Sequence, residues 1–353
     1  MKLKKDKSFT SAPLSGKYGS EVACFIEKFG GVSRTDCLVE DNRQFINAVM
    51  LKNRQLKRVV YLEKMNEIKN ICHFLAEINH GLQRGGLFIC CLETNFLRRK
   101  RIFRKYNFIT GKVIYFFDYL LTRLTPAIFP TRWISQLLVR SHDRAISYYE
   151  MVGRLSYCGF EIESDEVIEG KHYMAARKVA SSPPVLKENY GLLLGLNRVG
   201  QHGGPIRVYK FRTMVSFSEY VQEHIYRKNN LRKGGKFRND RRVTLLGRIF
   251  RRFWIDEIPM LLNVLKGDVK LVGVRPLSPQ YLALYSPEVV ARRQEVKPGL
   301  IPPYYVDLPS TLEEIQASEL KYIERWEKNP LLTDVRYFFL VLWNIIWHGA
   351  RGK

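Results

Sequence analysis

Residues 236–276 read KFRNDRRVTLLGRIFRRFWIDEIPMLLNVLKGDVKLVGVRP, and their centre is Asp256-Glu257-Ile258-Pro259 followed by the apolar run from Met260 to Leu265. Proline is tolerated in a helix only in its first turn. The spacing therefore predicts a helix beginning at Pro259, with the two acids at its N-terminus. The positive end of the helix dipole favours negative charge there, so both carboxylates are expected to be ionised. Consecutive helical positions diverge by about 100 degrees, which suits the two acids to different roles. An isolated Asp-Glu would be an N-cap and a dipole-complementing neighbour. Asn263, Gly267 and Asp268 are residue types that end a helix and turn the chain.

Two flanking stretches change the weight of that pair. Upstream lies NRVGQHGGPIRVYKFRTM, residues 197–214, where Lys210 and Arg212 alternate with Phe211 and Thr213. In a strand this alternation puts both cations on one face. Downstream lie VKPG (296–299), YIERW (322–326) and a final apolar helix. Arg275, before Pro276, offers the planar fork that grips phosphate oxygens; its structural alternative is an ion pair with Asp268. Gly195 to His202 have the glycine spacing of a P-loop but lack the Lys and Ser/Thr that follow it, so they are not a nucleoside-triphosphate site.

The formal net charge is +24 over 353 residues, a balance that points to an anionic partner. Arg227, Lys228, Arg232, Lys233, Lys236, Arg238, Arg241, Arg242, Arg248, Arg251 and Arg252 form a dense basic tract. Phe237, Phe250, Phe253 and Trp254, interleaved with it, suit a core or an interfacial anchor better than base stacking. An anionic membrane surface is thus expected, and nucleic acid is not. All six cysteines lie in the N-terminal half with no C-x-x-C pair, which speaks against zinc or redox chemistry and for a reducing compartment. The N-terminus has no apolar core of a secretory signal, and no run of about 18 uncharged apolar residues exists. Residues 113–139 and 337–347 come nearest, with the composition of a helix lying in the membrane interface or docking into protein.

Before this region the pattern is different. VVYLEKM (59–65) reads as a strand, and 67–82 as a helix with Ile71, Phe74, Leu75, Ile78 and Leu82 on one face. RGGLFICCLET (84–94) reads as a turn and a buried strand. Residues 147–167 read as a helix stopped at Gly159 and then a strand, followed by the strand HYMAARKV. Alternating strands and helices predict an α/β sheet. The expected organisation is a tail over 1–19, an α/β domain over 20–180, a Pro-containing linker over 181–191 and a second, helix-rich α/β domain over 192–353.

The blocks KFRTM, DE-x-P and G-x-RP, in this order over residues 190–353, resemble the bacterial sugar transferase family, the monotopic polyprenyl-phosphate phosphoglycosyl transferases. The resemblance implies transfer of a sugar-1-phosphate from a UDP-sugar to polyprenyl phosphate, with Mg2+, at the cytoplasmic face of the bacterial inner membrane, to start a capsule, exopolysaccharide or O-antigen repeat. It implies Asp256 as the nucleophile that forms a phosphosugar intermediate, Glu257 as its partner and metal ligand, and Lys210, Arg212 and Arg275 as phosphate-binding cations. This chain departs from the family at Arg241 and Val274, where proline is usual, and at Pro302-Pro303-Tyr304, where an aromatic-Gln pair is usual; the family's long apolar helix before the first block is also missing. Residues 20–178 resemble the C-terminal half of a class I methyltransferase-like Rossmann domain, with Gly30-Gly31 the only offer of a cofactor turn. The alternatives are a catalytically silent scaffold for glycan assembly and a fused S-adenosylmethionine-dependent methyltransferase. Assembly with further copies of the chain is left open.

Overall fold

The computed structural model describes residues 18–30, 37–40, 55–124, 144–184, 191–221 and 242–347. The basic tract from Arg227 to Arg241, the apolar stretch 125–139 and Gly31 lie outside them. The chain divides into two compact units, residues 1–190 with 215–227, and residues 191–214 with 228–353.

The first unit is a five-stranded sheet in the order β1-β2-β3-β5-β4, formed by β1 (Cys37–Glu40), β2 (Leu56–Lys64), β3 (Leu82–Leu92), β4 (Phe160–Ile168) and β5 (Lys171–Lys178). β1, β2 and β3 run parallel, while β5 is antiparallel to both β3 and β4. Side chains alternate between faces along a strand, and here both faces are apolar because helices cover both. On one face Val60, Leu62, Ile89 and Ala175 pack against Val22, Phe25 and Ile26 of α1 (Ser20–Glu27). On the other, Phe74 of α2 (Ile71–Gly81) meets Tyr61 and Phe88, and Phe88 meets Phe160. This is the Rossmann-like sheet expected for the first region.

Two details differ from the sequence reading. The helix begins at Ile71 rather than residue 67, after a 3-10 turn at Met65–Glu67, and Leu82 already belongs to the next strand. The glycine pair Gly85-Gly86 is no turn: it is an irregularity inside β3, where pairing with β2 jumps from Leu82 to Leu87. Gly159 does stop α5 (Tyr148–Tyr157), with φ of 84°. Between β3 and α5 stands a hairpin of α3 (Asn95–Lys105) and α4 (Phe108–Tyr119), followed by a π turn at Leu120–Leu124.

The second unit opens with the antiparallel pair β6 (Leu193–Val199) and β7 (Pro205–Phe211). Helix α6 (Leu245–Arg252), a 3-10 turn at Ile255–Met260 and helix α7 (Leu261–Leu265) follow. Strands β8 (Lys270–Val272) and β9 (Gly299–Ile301) pair in parallel, separated by α8 (Pro279–Leu282) and α9 (Pro287–Glu295). The chain then forms α10 (Tyr304–Asp307), α11 (Leu312–Lys328) and α12 (Pro330–Trp347). The core of this unit gathers Val272, Val274, Val296, Tyr322, Ile323 and Tyr337. α12 docks one face, with Tyr337 and Val341 buried, and leaves Phe339, Trp343 and Trp347 exposed. No helix among the described residues is long and apolar enough to cross a membrane.

The contact that seats α6 is made through backbone. Thr244 caps the helix by accepting from Gly247 N at 2.9 Å, while its own N–H donates to Thr213 O at 2.9 Å. A Cβ on Gly247 would lie 1.9 Å from that same Thr213 oxygen. Gly247→Ala should therefore push α6 off the Thr213 loop, at a cost of about 1–3 kcal/mol, read as a lower urea midpoint with an unchanged slope.

Candidate active site

Asp256 and Glu257 lie in the first turn of the 3-10 segment Ile255–Met260, which packs against β7. Pro259 falls inside this tight turn, and the regular helix α7 starts only at Leu261. The chain enters through Trp254, whose φ of 56° and ψ of 17° are left-handed. That conformation costs a non-glycine residue roughly 1–2 kcal/mol. The Trp254 ring packs against Tyr305 of α10, with centroids 4.9 Å apart, and this contact holds the reversal that turns the acids toward β7.

Asn263 locks the arrangement from the other side. It is fully buried. Its Nδ2 donates to Arg207 O at 2.8 Å and to Asp268 Oδ2 at 2.9 Å, and its Oδ1 accepts from Tyr209 N at 2.9 Å. A side-chain amide thus stands in for a neighbouring strand and ties α7 to β7 one residue before Lys210. Gly267, with φ of 77°, closes the turn that returns Asp268 to Asn263. These three residues are structural, as their types suggested.

Lys210 reaches from β7 to Glu257, with Nζ 2.6 Å from Oε1. Arg275 approaches the same oxygen at 3.9 Å through Nη2 and donates from Nη1 to Tyr304 Oη at 3.0 Å. Asp268, the alternative partner of Arg275, is instead held by Asn263. Arg212 stands just past β7, where its Nε donates to Gly191 O at 3.0 Å and its backbone N–H to Leu192 O. Lys210 and Arg275 therefore converge on Glu257, and Arg212 is anchored at the start of β6.

The charges interact as a group. Burial depresses Lys210 below the usual lysine range, against the pull of Glu257 and with some help from Arg275. Tyr304, ahead of the opposing burial and of the Glu257 charge, holds the Arg275 guanidinium above its ordinary value. Asp256 is the surprise. Burial and then the Glu257 charge raise its carboxyl above the usual range, although Lys210 and Arg251 oppose them. A short 3-10 turn carries few aligned peptides and so little dipole, whereas half-burial beside a second carboxylate acts on Asp256 directly.

Other groups here were not singled out from sequence. Arg198 on β6 is depressed by burial and then by the Arg275 charge, which places it in the same cationic field. Arg251 on α6 donates from Nε to Thr213 Oγ1 at 2.9 Å and acts on Asp256. The Tyr304 and Tyr305 rings pack at a tilt with centroids 4.8 Å apart, and Asn344 of α12 donates to the Tyr305 and Val306 carbonyls at 3.0 Å. The Pro302-Pro303-Tyr304 departure thus supplies a hydroxyl to Arg275. Val274, the other described departure, is buried in the core away from the carboxylates.

No group of three or more His, Cys, Asp or Glu side chains among the described residues could hold a metal alone. The donor set is Asp256 and Glu257. It fits a hard cation that takes one or two protein carboxylates and completes its shell with phosphate oxygens and water, as Mg2+ does.

Residues 184–348 match the family described as bacterial sugar transferase. This part of the chain resembles the bacterial sugar transferases. An uncharacterized sugar transferase, EpsL of Bacillus subtilis, is 48% identical over 103 residues, covering 29% of this chain and 45% of its own. The undecaprenyl-phosphate galactose phosphotransferase of Salmonella typhimurium is 38% identical over 110 residues, 30% of this chain and 23% of its own. The exopolysaccharide production protein ExoY of Rhizobium meliloti is 31% identical over 139 residues, 37% of this chain and 61% of its own. The chain thus spans less than two thirds of the length of each. A solved structure described as a putative methyltransferase from Bacillus halodurans covers 45% of this chain and 78% of its own, at 15% identity and a TM-score of 0.23, too slight a likeness to carry an argument.

Two outcomes follow. Asn263→Ala strands the Arg207 carbonyl and the Tyr209 N–H, each a loss of about 1–3 kcal/mol, and should lower the denaturation midpoint. Asp256→Asn should have the opposite sign. The folded pKa of Asp256 lies above its unfolded value, so its favourable contribution is present below about pH 4 and lost as pH rises through the folded value. The Asn variant should melt at or above the parent at pH 7, with the gain shrinking on acidification; a lower melting temperature at pH 7 contradicts the assignment.

Proposed function

We propose that the second unit transfers a sugar-1-phosphate from a UDP-sugar to a polyprenyl phosphate through a covalent intermediate on Asp256. The observation that carries this is a half-exposed Asp256 carboxyl adjoining Glu257, on which a half-buried lysine and an arginine converge. In the first step an Asp256 Oδ attacks the β-phosphorus, the bond from that phosphorus to the bridging oxygen breaks, and UMP leaves with the electron pair. In the second, a phosphate oxygen of the polyprenyl phosphate attacks the same phosphorus and frees the Asp256 carboxylate. The product is a polyprenyl-diphospho-sugar.

The protein's part is positioning and charge neutralisation, which dominate phosphoryl transfer. Lys210 and Arg275 lie on Glu257, Arg251 acts on Asp256 and Arg198 adjoins Arg275, an excess of cations over acids suited to a diphosphate. Lys210 is half-buried, so its charge is screened less than that of an exposed lysine. Tyr304 fixes the Arg275 fork. Glu257 would hold Mg2+ together with substrate phosphates, where the ion would neutralise developing charge, leaving Asp256 for attack. The raised Asp256 carboxyl is a stronger nucleophile once ionised than a freely solvated one.

The same unit is proposed to rest on the cytoplasmic face of the bacterial inner membrane. Phe253, Ile258 and Leu265 beside the acids, and Phe339, Trp343 and Trp347 on α12, are exposed, and Arg248 and Arg252 on α6 are exposed with them. Aromatic and aliphatic side chains among cations suit an interfacial helix on anionic lipid. The assembled cluster also weighs against a silent scaffold, for which nothing would keep Lys210 and Arg275 on Glu257.

UMP release and a radiolabelled phosphosugar adduct, assayed over a panel of UDP-sugars with and without undecaprenyl phosphate, test this. Asp256→Asn should abolish both. Lys210→Met should cost on the order of 10²–10³ in turnover. A labelled adduct persisting in Asp256→Asn would remove the mechanism.

A further inference from the structure

In the first unit, the α3–α4 hairpin exposes apolar surface that no described residue of that unit covers. Within α4 only Gly111 is buried. One side of α4 is committed to α3: Gly111 lies against the Phe103 ring, Tyr115 faces Phe103, and Asp118 takes both Nε and Nη2 of Arg98 at 2.8 and 2.7 Å. Thr94 and Asn107 cap the two helices by accepting from Leu97 N and Thr110 N. The hairpin is therefore a built element with a defined outer face.

That outer face is apolar. Ile109, Val113 and Phe116 follow at i, i+4 and i+7, a single stripe on a helix, with Phe117 and Phe108 beside it; Ile109 is 74% and Phe108 66% exposed. The rim is cationic. Arg99, Lys100, Arg104, Lys105 and Lys112 are exposed, whereas Asp118, the one acid of residues 95–119, is paired with Arg98. Lys112 Nζ lies 4.0 Å from the centre of the Phe108 ring, so the cation reaches outward along apolar surface.

We propose that this hairpin is a second membrane-docking surface, seating the first unit on an anionic bilayer. Ile109, Val113, Phe116 and Phe117 enter the boundary between headgroups and acyl chains, and Lys100, Arg104, Lys105 and Lys112 meet the lipid phosphates. Soluble chains rarely expose a contiguous patch of this kind, and an apolar stripe rimmed by Lys and Arg is the pattern of helices that lie in the interface plane. A nucleic acid would match the cations and would stack on aromatics, but it has no use for Ile109 and Val113 at the centre of the stripe. The surface is independent of the chemistry at Asp256, and its test needs no substrate.

Amide exchange of the full chain, read by mass spectrometry with vesicles of phosphatidylglycerol and phosphatidylcholine or of phosphatidylcholine alone, decides it. Exchange over residues 108–119 should slow several-fold with the anionic vesicles and far less with the neutral ones. Phe116→Ser/Phe117→Ser should lose that protection while β3 and α2 exchange as before and residues 330–347 keep theirs. The proposal is overturned if 330–347 slow and 108–119 do not. It is equally overturned if duplex DNA protects 108–119 and vesicles leave them unchanged, or if these amides are already protected without vesicles and do not respond.

Discussion

Asn263 has no freedom to be anything but an amide, and the arrangement of Lys210 and Glu257 follows from that. It must donate to a carbonyl and accept from an N–H on the same stretch of β7, and donate once more to the carboxylate that closes its own turn. Buried groups of that kind tolerate no imperfect partner. The result is that α7 cannot slide along β7. Glu257, six residues before the amide, and Lys210, one residue beyond Tyr209, are brought to 2.6 Å. The same rigidity passes through Trp254 to Tyr305, and through Asn344 to the last helix, so the exposed aromatic face of α12 and the acids share one framework.

That framework places charge where it is costly. Half-burial beside Glu257 keeps the Asp256 carboxyl above its ordinary range, and burial holds Lys210 below its own. Both shifts follow from desolvation, which disfavours the charged form of an acid and of a base alike. The neighbouring cations, Arg275, Arg198 and Arg251, arrive from three separate elements, β8's following loop, β6 and α6. None is a near neighbour of Asp256-Glu257 in sequence except Arg251, and their convergence sets an excess of positive charge around the two acids.

The two departures among the described residues, Val274 and Pro302-Pro303-Tyr304, acquire physical meaning at this level. Val274 replaces a proline and fills the core with Val272 and Tyr322. Pro302-Pro303 leads into α10, where Tyr304 hydrogen-bonds Arg275 and Tyr305 receives the Trp254 ring. One substitution is absorbed by packing, and the other rebuilds a wall of the site.

Local pattern was enough for what depends on neighbours in the chain. The apolar runs of β2, β3 and β5, the glycine that ends α5 and the acids just ahead of a helix are legible because periodicity and backbone chemistry act over a few residues. Leu82, the Gly85-Gly86 irregularity and the 3-10 character of residues 255–260 were misread, since strand pairing and packing override propensity there. Only the tertiary structure decided that Lys210 and Arg275 meet at Glu257 while Arg212 is tied to β6, that Tyr304 and Arg198 belong with them, and that the Asp256 carboxyl is raised. Those outcomes are set by desolvation and by charges distant in sequence, and neither exists until the chain has folded.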